Sequence, residues 1–169
     1  MFSLATYLKR TAKPDILSRM PDPADATRKF SADPGLAECP QLKILRINGD
    51  FFFGSVAHIR ETLSNIKNNN PKQKNLLLLV QSVNLIDVSG AELISEEVEQ
   101  RKKLGGKVFF YSLKDTAREV IERGNYLQGM GPEAIFFSKG EAIKKIFTHR
   151  DKDICKHCDK RIFKECQAI

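Results

Sequence analysis

Two groups of residues in this chain have types and spacings that could do chemistry. The first is Asp87-Val88-Ser89-Gly90-Ala91-Glu92, where an acid, a hydroxyl and a second acid fall within one short stretch. A serine followed three residues later by a glutamate, just ahead of an apolar-periodic segment, has the form of a capping box. In that form Ser89 and Glu92 satisfy orphan N–H groups in the first turn of a helix. The same serine also has the form of a phosphate acceptor. A phosphate of about −1.5 to −2 charge is favoured by the free N–H groups and the dipole of a helix N-terminus. Here it would face Asp87 and Glu92, which repel it, so modification would act as a charge switch on a recognition surface. Asp87, Ser89, Gly90 and Glu92 are therefore the candidate phosphorylation or recognition turn.

The second group is Cys155-x2-Cys158-x7-Cys166, with His157 inside it. Three thiolates and an imidazole complete tetrahedral zinc, which makes Cys155, Cys158, Cys166 and His157 a candidate metal set. Only one paired knuckle is present, where a strong zinc signal has two. The spacing also fits a plainer pattern. Cys155, Cys158, Ile162, Cys166 and Ile169 recur at steps of three and four, the apolar stripe of one helix, and free cysteine behaves as a small hydrophobe. Lys156 and Lys160 would lower a neighbouring thiol pKa, which makes a redox pair the third reading. The expectation is no cofactor, with zinc as the alternative.

Elsewhere the sequence offers little. Gly129-x-Gly131 lacks the third glycine and the strand-to-helix setting of a dinucleotide site. His58 has no partner nearby in sequence. No nucleophile, base and acid can be assembled, so no catalytic residue is assigned and the chain is read as non-enzymatic.

The elements that must position these residues follow from periodicity. The chain has 169 residues, enough for one domain with appendages. Its net charge is +7, and residues 139–169 hold nine Lys or Arg against five Asp or Glu. The remaining charge is spread thinly, which argues against a nucleic-acid face. No signal peptide and no apolar run of about 20 residues is visible.

Residues 1–41 read as a linker, with four of the seven prolines between Pro14 and Pro34. Phe2 to Leu8, followed by Lys9-Arg10, is apolar then basic, which fits a frayed amphipathic N-terminus first and the cytoplasmic end of a membrane helix second. Leu42–Phe53 reads as a hairpin turning at Asn48-Gly49-Asp50. A helix then starts at Ser55, with Val56, Ile59, Leu63 and Ile66 on one face. The Leu76–Val80 run implies a central strand buried on both faces. The helix after Ser89 turns Ala91, Ile94 and Val98 inward, with Glu97, Arg101, Lys102 and Lys103 on the solvent face. Lys107–Tyr111 and Ala134–Phe137 are further strands. Ser112 with Asp115, and Ser138 with Glu141, signal two more helix starts. The expected fold is α/β: a mixed, mostly parallel sheet of four to five strands in the order β-β-α-β-α-β-α-β-α, with about four helices.

These residues carry a family resemblance. Leu85-Ile86-Asp87-Val88-Ser89-Gly90-Ala91-Glu92 resembles the central motif of STAS domains, found in sulfate transporters and anti-sigma factor antagonists. Cys39 to Gly49, with Phe51-Phe52-Phe53-Gly54, is similar to the segment that opens the STAS domain of bacterial SulP anion transporters. Lys13-Pro14-Asp15 and Pro21-Asp22-Pro23 are similar to the juxtamembrane linker of those transporters. The resemblance implies a linker with a membrane-helix stub over 1–41, a STAS domain over 42–150 and a Cys-rich helical tail over 151–169.

It also implies a non-catalytic regulatory domain at the cytoplasmic face of the membrane. Its partners would be the transporter's membrane domain, a second copy in a homodimer, or a soluble regulatory protein, with no nucleic acid. The alternative it implies is a free-standing anti-sigma factor antagonist switched at Ser89, where such antagonists carry their phosphorylatable serine. Those antagonists usually have serine before it, and here Val88 stands there. A similar Cys-rich tail occurs in bacterial SulP transporters, and the resemblance supplies no role for it. Metal or redox sensing through the tail stays open as another alternative.

Overall fold

The computed structural model describes residues 4, 6, 11–25, 27, 29–126, 128 and 130–168. Its main sheet has five strands: β1 (Asp15–Ser18), β4 (Leu42–Asn48), β5 (Asn75–Leu79), β6 (Val108–Tyr111) and β7 (Ile135–Phe136), in that spatial order. β1 is antiparallel to β4, and every later pairing is parallel. A two-stranded ribbon, β2 (Met20–Pro21) with β3 (Phe30–Ser31), lies apart from it. Five helices follow: α1 (Phe53–Asn69), α2 (Val88–Lys103), α3 (Asp115–Arg123), α4 (Lys139–Phe147) and α5 (Lys152–Lys156).

β5 is central because all five of its residues are buried. Each fully buried leucine contributes roughly 1.5–3 kcal/mol, so Leu76 to Leu79 pin the middle of the sheet. The pleat divides the core. Leu45, Leu76, Leu78, Val108 and Phe110 share one face by register. Leu42, Ile44, Leu77, Phe109 and Tyr111 share the other. On that second face Phe109 stacks 6.0 Å from the His149 ring just past α4, and Lys139 of α4 sits over Tyr111. Both faces are covered, which is what a parallel sheet requires.

The α/β class, the mixed five-stranded sheet and its parallel run agree with the sequence expectation. The opening pair does not. Leu42–Phe53 is no hairpin, because β4 takes its antiparallel partner from Asp15–Ser18 inside the expected linker. Gly49, at φ 142°, turns against Pro14. Asp50 then accepts hydrogen bonds from the N–H groups of Asn84 and Leu85 at 2.7 and 3.0 Å. That steers Phe51 into a parallel bridge with Ile86, and the chain enters α1 at Phe53, two residues before the expected start.

Residues 11–41 are thus partly built into the fold as an edge strand and a ribbon. The expected membrane-helix stub at 2–8 lies outside the described residues, apart from Leu4 and Thr6. The tail is not one helix: α5 ends at Lys156, Arg161 has a positive φ, and a separate 3-10 turn covers Lys164–Ala168. The expected stripe therefore does not exist as a helical face.

Glu97 and Arg101 are also not on a solvent face. Arg101 is 1% exposed. Its Nε donates to Glu97 Oε1 at 2.6 Å and its Nη1 to the Gln73 carbonyl at 2.6 Å, tying the end of α2 to the loop before β5.

Candidate functional site

The turn predicted from sequence forms at the C-terminal ends of the parallel strands. After β5 the chain loops through Val83, which is buried, and Ile86, which pairs with Phe51. The Phe51 N–H donates to the Leu85 carbonyl at 3.0 Å, and the Asp87 N–H donates to the Phe51 carbonyl at 2.9 Å. The Asp87 carboxylate then braces two helices. Its Oδ1 accepts from the Gly90 N–H at 2.8 Å in the first turn of α2, and its Oδ2 accepts from the Phe53 N–H at 2.9 Å at the start of α1. A carboxylate suits this place because it accepts on both oxygens and complements the positive ends of two helix dipoles.

The capping residue is therefore Asp87, and the Ser89–Glu92 box does not form. Ser89 is the second residue of α2, half-buried, and its hydroxyl has no hydrogen-bond partner among the described residues. Glu92 is exposed and makes no ion pair with the described residues. The sequence pattern misleads because the helix starts at Val88, so Asp87 is its cap and Ser89 already lies inside the first turn. Gly90 is required by close approach: a Cβ there would lie 2.2 Å from the Phe51 carbonyl oxygen.

Around this fixed backbone stand Phe53, Leu85 and Val88, exposed at 78%, 51% and 58%. Sequence reasoning missed them as a group because Phe53 is more than thirty positions from the other two in the chain. The Asp50 and Asp87 carboxylates bring the two segments together.

The second predicted group lies at the opposite, N-terminal ends of the strands. Cys155, Cys158 and Cys166 line one nearly apolar cavity of about 30 Å³ with Leu42, Ile146 and Phe147. The fourth wall residue of interest is Cys39, from the other end of the chain. All four cysteines of the protein thus face one space, as free thiols.

His157 is not part of it. Its Nδ1–H donates to the Asp153 carbonyl at 2.8 Å on the exposed side of α5. Among the described residues no three His, Cys, Asp or Glu side chains already stand in a metal-holding arrangement.

The tail is clasped there by Gln41. Its Oε1 accepts from the Asp151 N–H at 2.7 Å and its Nε2 donates to the Asp151 carbonyl at 2.9 Å, with a further N–H···S contact to Cys155 at 3.2 Å. Burial pushes the Cys39 thiol up to about 11, against the pull of the Gln41 and Leu42 backbone N–H groups that point at its sulfur. Burial also raises Cys166, opposed by a backbone hydrogen bond from Phe163. These two thiols are protonated at neutral pH.

The mixed sheet and the braced strand-to-helix turn define a small α/β domain. The chain belongs to the STAS domain family, whose model matches residues 34–142. It is 26% identical over 117 residues to the "Putative sulfate transporter YvdB" of Bacillus subtilis (strain 168), covering 67% of this chain and 22% of that protein. This chain therefore spans less than a quarter of that relative.

Two solved structures share the fold. The murine Solute Carrier 26 family member A9 anion transporter superposes with a TM-score of 0.74 at 14% identity, over 87% of this chain and 24% of that one. An anti-sigma factor antagonist from Mycobacterium paratuberculosis superposes with a TM-score of 0.58 at 9% identity, over 82% of this chain and 97% of its own. Among the described residues no helix is long and apolar enough to cross a membrane.

Proposed function

We propose that this chain is the regulatory STAS domain of a SulP-type anion transporter, held at the cytoplasmic face of the membrane and working by docking rather than catalysis. The observation that carries this reading is the Asp87 turn. Its backbone is fixed on both sides, and it presents Phe53, Leu85 and Val88 together to solvent. Single exposed apolar residues are ordinary, but a group of them on a rigid frame marks an interaction surface. The sequence relative named as a sulfate transporter, most of whose length lies outside the aligned part, supports the transporter's membrane domain as partner.

The test joins the chain to its transporter in membrane vesicles and measures anion uptake with Leu85→Asp and Val88→Asp, each checked for transporter level. Lower uptake or lost assembly is expected. Uptake and assembly equal to the unmodified transporter in both variants would sink the reading, and a self-associating soluble chain would redirect it to a homodimer.

A second reading is favoured by one observation, the unengaged Ser89 hydroxyl beside this surface. In it the chain acts as an anti-sigma factor antagonist, released from its partner by phosphorylation. Incubation with the cognate kinase and ATP should add one phosphate to the wild type and none to Ser89→Ala. No mass gain in the wild type removes this reading.

A further inference from the structure

The cavity at the N-terminal edge of the sheet carries more than a hydrophobic contact. Its sulfur atoms come from three separate stretches of chain: Cys39 just ahead of β4, Cys155 and Cys158 from α5 and the turn after it, and Cys166 from the last 3-10 turn. Cys39 lies close enough to Cys155 and Cys166 to interact with them electrostatically, as Cys166 does with Cys155 and Cys158. Hydrogen-bond donors aim at the sulfurs themselves. The Gln41 and Leu42 N–H groups face Cys39, the Gln41 carboxamide faces Cys155, and the Phe163 backbone faces Cys166. Donors of this kind fix and polarise thiolate ligands from outside the coordination sphere.

The wall also holds an unmatched donor. Arg150 lines the cavity, and its Nε is buried without a partner among the described residues. Lys160 and Arg161 complete a cationic rim. Three cationic side chains thus stand at the wall of this apolar pocket, with Glu165 near Cys166 and Glu38 near Lys160 as the neighbouring acids. The pocket's volume of about 30 Å³ admits an ion and excludes an organic ligand, whose sites run to roughly 300 Å³ or more.

We propose that this cavity binds one thiophilic divalent metal ion of the zinc class through Cys39, Cys155, Cys158 and Cys166, and that the ion locks the C-terminal tail onto the start of β4. Each thiol gives its proton to solvent as its sulfur bonds the metal, so four protons leave and the tetrathiolate site carries a charge of −2. Arg150, Lys160 and Arg161 offset that charge. The four sulfurs stand wider apart than metal ligands do. Binding therefore requires the short segments 152–168 to close by side-chain rotation and a shift of the tail. The assignment keeps the sequence-predicted cysteines and replaces His157 with Cys39. It does not rest on the transporter reading.

The test uses the full 169-residue chain, purified anaerobically under reducing conditions. It is titrated with Co2+, whose thiolate charge-transfer absorption reports sulfur ligation, and then with Zn2+ as competitor. One equivalent should bind with that absorption and be displaced by Zn2+. Cys39→Ser should weaken binding by at least about tenfold, and His157→Ala should leave it unchanged.

Circular dichroism of each variant separates lost ligation from lost folding, and the wild-type titration needs no variant at all. No binding by the reduced wild type, or binding no tighter than that of a variant lacking all four cysteines, overturns the proposal. Binding that survives Cys39→Ser and fails in His157→Ala overturns it too. So does an iron–sulfur absorption in the protein as isolated.

Discussion

The two ends of the parallel strands differ in how their parts are brought together. At the C-terminal ends, two short segments about 34 residues apart are stitched by carboxylates onto backbone N–H groups. The bonds that stitch the two segments to each other are made by Asp50, Asp87 and the backbone. The side chains on display, Phe53, Leu85, Val88 and Ser89, take no part in holding the turn. At the N-terminal ends, segments 110 residues apart meet through one carboxamide, that of Gln41. There the side chains of interest, the four cysteines, also make the packing. A surface whose framework is independent of its displayed residues can vary what it binds. A cavity whose lining is also its glue is tied to its occupant.

The most severe test of the first half of that comparison is Gly90→Ala. The new Cβ meets the Phe51 carbonyl, a backbone atom locked by Asp87, so neither side can move cheaply. A loss of about 3 kcal/mol is expected, read as a lower urea midpoint at unchanged slope. A loss under about 0.5 kcal/mol would mean that the two segments are not braced as described.

The second half is tested by Gln41→Ala. Removing the carboxamide frees the Asp151 peptide, and each lost hydrogen bond of this kind is worth about 1 kcal/mol. The tail should loosen without unfolding the sheet. Cys155 and Cys158 should be alkylated faster, and limited proteolysis should cut after α4, with the core intact. Equal alkylation rates in variant and wild type would show that apolar packing alone seats the tail.

This contrast also explains what the sequence could reveal. The Leu76–Val80 run, the helix periodicities after it and the Ser138 cap are local signals, and the structure reproduces them. The Asp87 turn is legible as a turn because strand, acid and helix start are contiguous. Its cap is misread because Ser89 and Asp87 are both good cap residues two positions apart, and spacing does not rank them. The hairpin fails for a non-local reason: β4's partner lies across a proline-rich stretch, and Asp50 is engaged by residues 84 and 85. Cys39 is invisible as a site residue for the same reason. Nothing within a hundred positions of it holds another cysteine. Arg101 looks like a solvated helix end because its partners are Gln73 and a glutamate on its own helix.

The smallest expected effect separates the two ways of reading the turn. If Ser89 capped α2, its truncation would cost about 1 kcal/mol. In the structure Asp87 does that work, and the Ser89 hydroxyl bonds to none of the described residues. Ser89→Ala should therefore change stability by less than about 0.5 kcal/mol, in either direction. Asp87→Ala should cost about 2 kcal/mol in the same denaturation series, because two helix N-termini lose their acceptor at once. The ratio is more informative than either value. A large effect at Ser89 beside a small one at Asp87 would restore the capping box and make the hydroxyl structural. The expected order leaves Ser89 without a structural duty.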